Sequence, residues 1–93
     1  MKDRESFYKK LKSQLDETTK FPSDYLYKFI VASDGHRVNE VQSFFDNKGA
    51  VINTKKSKTG KYTSVSIVIN LNSSDEVISY YKRVEKIEGI ISL

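Results

Sequence analysis

The spacing of apolar residues switches between helical and alternating along the chain, and each switch marks an element. Phe7, Leu11 and Leu15 stand at i, i+4 and i+8 in a charged segment from Asp3 to Asp16, which predicts a helix with one narrow apolar stripe. A free helix of roughly 12–15 residues is marginal, so this arm needs a surface to dock on. From Tyr25 to Val31 the period falls to two. Tyr25, Tyr27, Phe29 and Val31 share one face, and Leu26, Lys28 and Ile30 share the other. The lysine assigns the second set to the outside. Ser33-Asp34-Gly35 then reads as a loop with capping potential. Val38, Val41, Phe44 and Phe45 return to helical spacing, with Gly49 as a left-handed cap.

Val51 and Ile52 open a second strand that becomes basic by Lys55, the composition of a protected sheet edge. Gly60 closes a hairpin. The next strand directs Thr63, Val65, Ile67 and Ile69 inward and Tyr62, Ser64, Ser66 and Val68 outward. Ser73-Ser74-Asp75-Glu76 matches a capping box, and Val77, Ile78, Tyr81 and Val84 form the stripe of a helix that Gly89 ends. Ile90, Ile91 and Leu93 make a short last strand. Pro22 separates the arm from the first strand, because the residue before a proline avoids the helical region. The expected fold is α+β: a ferredoxin-like βαββαβ sandwich in which two helices cover one face of a four-stranded antiparallel sheet. Residues 1–20 are read as an N-terminal helical arm and residues 21–93 as a single domain. The strands Tyr25–Val31 and Thr63–Leu71 are expected at the centre of the sheet.

Composition narrows the setting. Ninety-three residues allow one small core, and 38% hydrophobic with 30% charged residues suits a soluble globular domain. With no cysteine there is neither a disulfide framework nor a thiolate nucleophile. No apolar segment follows the charged opening Met1-Lys2-Asp3-Arg4-Glu5, so a secretory signal is not expected, and no apolar run reaches the ~20 residues of a membrane span. A cytoplasmic location is expected. The net charge of +4 equals the four lysines Lys55, Lys56, Lys58 and Lys61, since the other basic residues balance the acidic ones.

Three stretches carry a resemblance to a known family. Phe21-Pro22-Ser23 leading to Tyr27-Lys28, the segment Ser57-Lys58-Thr59-Gly60-Lys61-Tyr62-Thr63-Ser64-Val65-Ser66-Ile67, and the ending Ile87-Glu88-Gly89-Ile90-Ile91-Ser92-Leu93 resemble the YbeD-like proteins, a bacterial family of unknown function. The resemblance covers residues 21–93 and leaves the arm outside. It implies a ferredoxin-like fold similar to the ACT-type regulatory domains, which bind small effectors such as amino acids. It supplies no catalytic residues.

Candidate chemistry falls in three places. The loop Ser33, Asp34, Gly35, His36 and Arg37 precedes a helix whose backbone donors favour a carboxylate or phosphate, which makes it the candidate small-effector loop. A capped turn explains the same residues. Lys55, Lys56, Lys58 and Lys61 form a candidate patch for phosphate, RNA or an acidic protein surface; edge protection explains them equally. Leu26, Ile30, Tyr62, Ser64, Ser66 and Val68 form a candidate interface on the outward sheet face, to be covered by the arm, by a protein partner or by a second copy. RNA is the less favoured ligand, because RRM-type readout needs several aromatics and Tyr62 alone stands on its strand. Gly60-Lys61 lacks the second glycine and the hydroxyl residue of a phosphate-binding loop. His36 has no partner set for a metal, and Arg37 lies in no acylphosphatase-like loop motif. The sequence predicts no catalytic residue, metal or cofactor, and hence no enzyme.

Overall fold

In a computed structural model that describes residues 3–46 and 48–93, the chain runs α1 (Asp3–Thr18), β1 (Ser23–Ala32), α2 (Arg37–Ser43), β2 (Val51–Lys56), β3 (Tyr62–Leu71), α3 (Ser74–Val84) and β4 (Ile91–Ser92). Met1 and Lys2 of the charged opening lie outside the described residues. The strands form one antiparallel sheet in the order β2-β3-β1-β4. The fold is α+β and ferredoxin-like, with the two long strands central and the lysine-bearing β2 at an edge.

Alternation along β1 and β3 builds the core. Tyr27, Phe29 and Val31 on β1, and Val65, Ile67, Ile69 and Leu71 on β3, are buried beneath α2 and α3. The helices return Val41, Phe45, Val77 and Val84 to the same space. Tyr27 sits at its middle. Its ring lies 5.6 Å from Phe29, 5.4 Å from Phe45 and 4.9 Å from Tyr81, within the range of favourable aromatic pairs. Its hydroxyl donates to the Val77 carbonyl at 2.8 Å, so a polar group enters an apolar core with its bond made. Burial pushes the Tyr27 phenol well above its usual range. Tyr80, absent from the expected stripe of α3, is buried against Phe45 with ring centroids 4.7 Å apart.

The helix ends differ from expectation. The Ser73 hydroxyl accepts from the Glu76 amide at 3.1 Å, as a capping box requires, but the Glu76 carboxylate accepts from the Asn72 amide rather than from Ser73. The α2 cap is His36, with no side-chain cap bond, so the Ser33-Asp34 side chains do not cap that helix. α2 and α3 also end before Gly49 and Gly89, which take positive φ in the turns beyond. Phe44 and Phe45 therefore reach the core from a turn and not from the helix.

The arm behaves differently from its predicted stripe. Tyr8, Leu11 and Leu15, at i, i+3 and i+7, face the domain, while Phe7 remains half exposed. Their docking surface is α3. Of the coverings considered for the outward sheet face, the arm is thereby excluded: α1 packs on α3, on the helical side of the sheet.

Truncation should separate the two faces of β1. By chemical denaturation Phe29→Ala should cost about 3–5 kcal/mol, and Tyr27→Phe, which removes the hydroxyl's bond to the Val77 carbonyl, about 1 kcal/mol. Leu26→Ala, on the outward face, should stay within about 0.5 kcal/mol. A Leu26 cost equal to that of Phe29 would mean the outward face is packed.

Candidate functional site

Register places the candidate interface residues side by side. On β3 the outward positions Tyr62, Ser64, Ser66 and Val68 lie opposite Ala32, Ile30, Lys28 and Leu26 of β1. Across the other edge of β3, Ser64, Ser66 and Val68 oppose Lys55, Asn53 and Val51 of β2. Ile91 of β4 extends the row by pairing with Ile30. Directly opposed residues share a face, so these side chains form one continuous surface.

That surface is bare. Seven large hydrophobic side chains are exposed among the described residues, and five belong to this face: Leu26, Val51, Tyr62, Val68 and Ile91, between 38% and 60% accessible. Clustered exposure marks an interface where scattered exposure does not. Val51 and Ile91 were missed in the sequence reading. Adjacency across strands reveals them, and β4 is too short for its alternation to speak.

The charge on the two sides of the molecule also differs. Every ion pair among the described residues joins groups on the helices or their flanking turns: Arg4–Glu85, Lys12–Asp16, Lys12–Asp75, Arg37–Asp34, Arg37–Glu88 and Lys82–Glu5. Lys28 on the sheet face and Lys55, Lys56, Lys58 and Lys61 on the hairpin form no such pair. The hairpin turn is built tightly. The Ser57 amide donates to the Tyr62 carbonyl at 2.8 Å and the Gly60 amide to the Ser57 carbonyl at 2.9 Å. Gly60 has φ +76°, a region that costs other residues strain.

The effector loop is arranged less openly. The Ser33 and Thr63 hydroxyls are bonded at 2.7 Å, and the Ser33 amide donates to the Lys61 carbonyl at 2.8 Å. Arg37 lies 3.7 Å from the Asp34 carboxylate and donates to the Glu88 carbonyl at 3.1 Å. Gly35 and His36 are exposed. The structure brings Ser33 and Asp34 near Gly60, Lys61 and Tyr62 around a hollow of about 310 Å³, so the loop and the hairpin meet at one end of the sheet. No group of three or more His, Cys, Asp or Glu side chains converges on a metal position among the described residues. None of the described helices is long and apolar enough to cross a membrane.

A concavity of about 850 Å³ lies between α1, α3 and β4 and is lined by Phe7, Leu11, Tyr81 and Ile90 among others. One wall is the arm, which a polar latch holds in place. Glu85 accepts from Arg4 at 2.5 Å and from the Tyr8 hydroxyl, and the Ser74 hydroxyl donates to Asp16 at 2.6 Å. Burial and the bond to Glu85 push the Tyr8 phenol up to about 12. Burial acts to raise the Glu85 carboxyl, but hydrogen bonds from Tyr8 and Arg4 outweigh it and hold the group below its usual 4.5.

The latch has a pH signature. A depressed carboxyl stabilises the fold above its unfolded value and loses that contribution as pH falls through the folded one. Wild type should exceed Glu85→Gln in unfolding free energy near neutrality by up to about 1 kcal/mol, since the pair is partly solvated. The gap should close as pH drops below 4.5. A gap that does not change with pH would show that Glu85 acts by packing alone.

Comparison with known proteins places this geometry. No sequence among curated proteins matches the chain. Among solved structures it is similar to the solution structure of protein HP0495 from H. pylori, with a TM-score of 0.64 and 16% identity over 82% of this chain and 86% of that one. At that identity the likeness shows a shared fold. The model of a family described as protein of unknown function (DUF493) matches residues 16–93, which takes in every strand and both helices of the sandwich and leaves out most of α1. The chain belongs to the DUF493 family of proteins of unknown function.

Proposed function

We propose that this chain is a non-enzymatic, cytoplasmic binding module that docks a partner protein on its open sheet face. The observation that carries the reading is the gathering of five exposed hydrophobic side chains on one face of a sheet whose other face carries the core. Aliphatic groups predominate there. Burying them against protein returns roughly 25 cal/mol per Å² of apolar area removed from water. Two long paired strands also make a rigid platform, which limits the ordering cost of docking.

The resemblance of residues 21–93 to the YbeD-like proteins supports a regulatory role by analogy with ACT-type domains. Fold alone does not carry function, and the effector loop offers little further support. Its Ser33 hydroxyl and Arg37 guanidinium are already engaged within the chain. Protein docking on the sheet face therefore stands ahead of small-effector binding.

Site-specific photo-crosslinking tests this. A benzophenone side chain placed at Leu26, Tyr62 or Val68 should give the same identified adduct in cells. At Lys9 or Glu40, which are exposed on helices, it should give none. Equal adducts from both sets, or none from the sheet positions, would contradict the reading.

A further inference from the structure

We propose that the partner presents an acidic segment with one apolar anchor, which the protein receives in a notch between Ile30 and Tyr62 rimmed by Lys55 and Lys58. The inference rests on the sheet-face reading above and specifies the chemistry of what binds there.

The notch follows from side-chain size and register. Ser64 and Ser66 are small outward residues of β3, while their neighbours on both flanking strands are longer: Ile30 and Lys28 on β1, Lys55 and Asn53 on β2. A trough therefore runs along β3. At its hairpin end Tyr62 stands across it and closes a cleft of about 270 Å³, lined by Ile30, Tyr62, Ser64, Lys55, Lys56 and Lys58. The cleft has an apolar wall and a cationic rim, and no carboxylate lines it. The nearest acid at this end, Asp34, lies on the far side of Tyr62 and is paired with Arg37. The one acidic residue within the strands, Asp24, sits at the opposite end of the sheet and accepts from Asn70 at 3.1 Å.

Charge complementarity decides between occupants. A second copy would bring its own Lys28 and Lys55 into the same patch and add no acid near the notch, since a two-fold interface sets a patch against itself. Nucleic acid would meet one aromatic ring and a field of aliphatic groups, whereas single-strand recognition relies on stacking. An acidic protein segment satisfies both halves. Its carboxylates meet the lysines at the rim, where charge sets the rate and choice of partner, and its apolar anchor fills the notch, where most of the affinity arises.

The test is an amide chemical-shift titration of the full chain with defined probes. These are a short Glu-rich peptide around one central Phe, the same peptide with Ser for Phe, the same with Lys for every Glu, and an oligouridylate. The Glu-Phe peptide should shift Ile30 and Ser57–Ser64. Its affinity should fall about tenfold in Lys55→Glu/Lys58→Glu and less than about twofold in Lys9→Glu/Lys10→Glu, a control with the same net charge on exposed positions of α1. The Ser and Lys peptides should bind more weakly. No binding of the Glu-Phe peptide, equal binding of the Ser or Lys peptide, tighter binding of the oligouridylate, or equal loss in both variants would each overturn the proposal. The outcome is separable from that of the parent reading. Crosslinks from Leu26, Tyr62 and Val68 that persist with any of these results would leave the sheet-face partner intact and reject its acidic character.

Discussion

Ten consecutive antiparallel pairs between β1 and β3, from Ser23 opposite Leu71 to Ala32 opposite Tyr62, are the constraint on which the rest of this molecule depends. Side chains alternate across a sheet, so this single register decides the fate of twenty side chains at once. Tyr27, Phe29, Val65 and Ile67 go to the core, and Leu26, Ile30, Tyr62 and Val68 go outward. A slip of one residue would exchange the two sets. Tyr27 makes such a slip costly, because its ring is enclosed by Phe29, Phe45 and Tyr81 and its hydroxyl is committed to the Val77 carbonyl.

The two faces then acquire different chemistry. The helical face is closed by aromatic packing, and its charges are matched in pairs, from Arg37 with Asp34 and Glu88 to Arg4 with Glu85. Its N-terminal helix is held by the same means, and the energy of such partly solvated pairs is small. The sheet face receives no covering element, and the acid on its strands, Asp24, sits at the end away from the hairpin. Exposed apolar surface and unpaired lysines there have a common origin in the strand register and the position of β2 at the edge. Docking and electrostatic selection would therefore act through one rigid surface.

Much of this was legible in the sequence, for reasons tied to particular residues. The alternation from Tyr25 to Val31 and from Tyr62 to Ile69 is strict, so element type, core set and outward set follow from period alone. The element order then gave the fold. The arm was misread because Phe7, Leu11 and Leu15 satisfy helical spacing as well as Tyr8, Leu11 and Leu15 do. Only the presence of Glu85 at the C-cap of α3, a partner for both Arg4 and the Tyr8 hydroxyl, selects the second stripe. The loop at Ser33-Asp34 looked like cap chemistry, yet Ser33 bonds to Thr63 across the sheet, a contact 30 residues distant in sequence. The breadth of the open face was also hidden, since Val51 and Ile91 join it only through strand neighbours.

The claim that the outer sheet face stands uncovered is most directly tested by solvent relaxation from a soluble gadolinium chelate, read on the methyl groups of the full chain in solution. The methyls of Leu26, Val51, Val68 and Ile91 should relax strongly, and those of Val65, Ile67 and Ile69 should be protected. Protection of the outer methyls equal to that of the core would contradict the account, because the face would then already be covered by the arm or by a second copy.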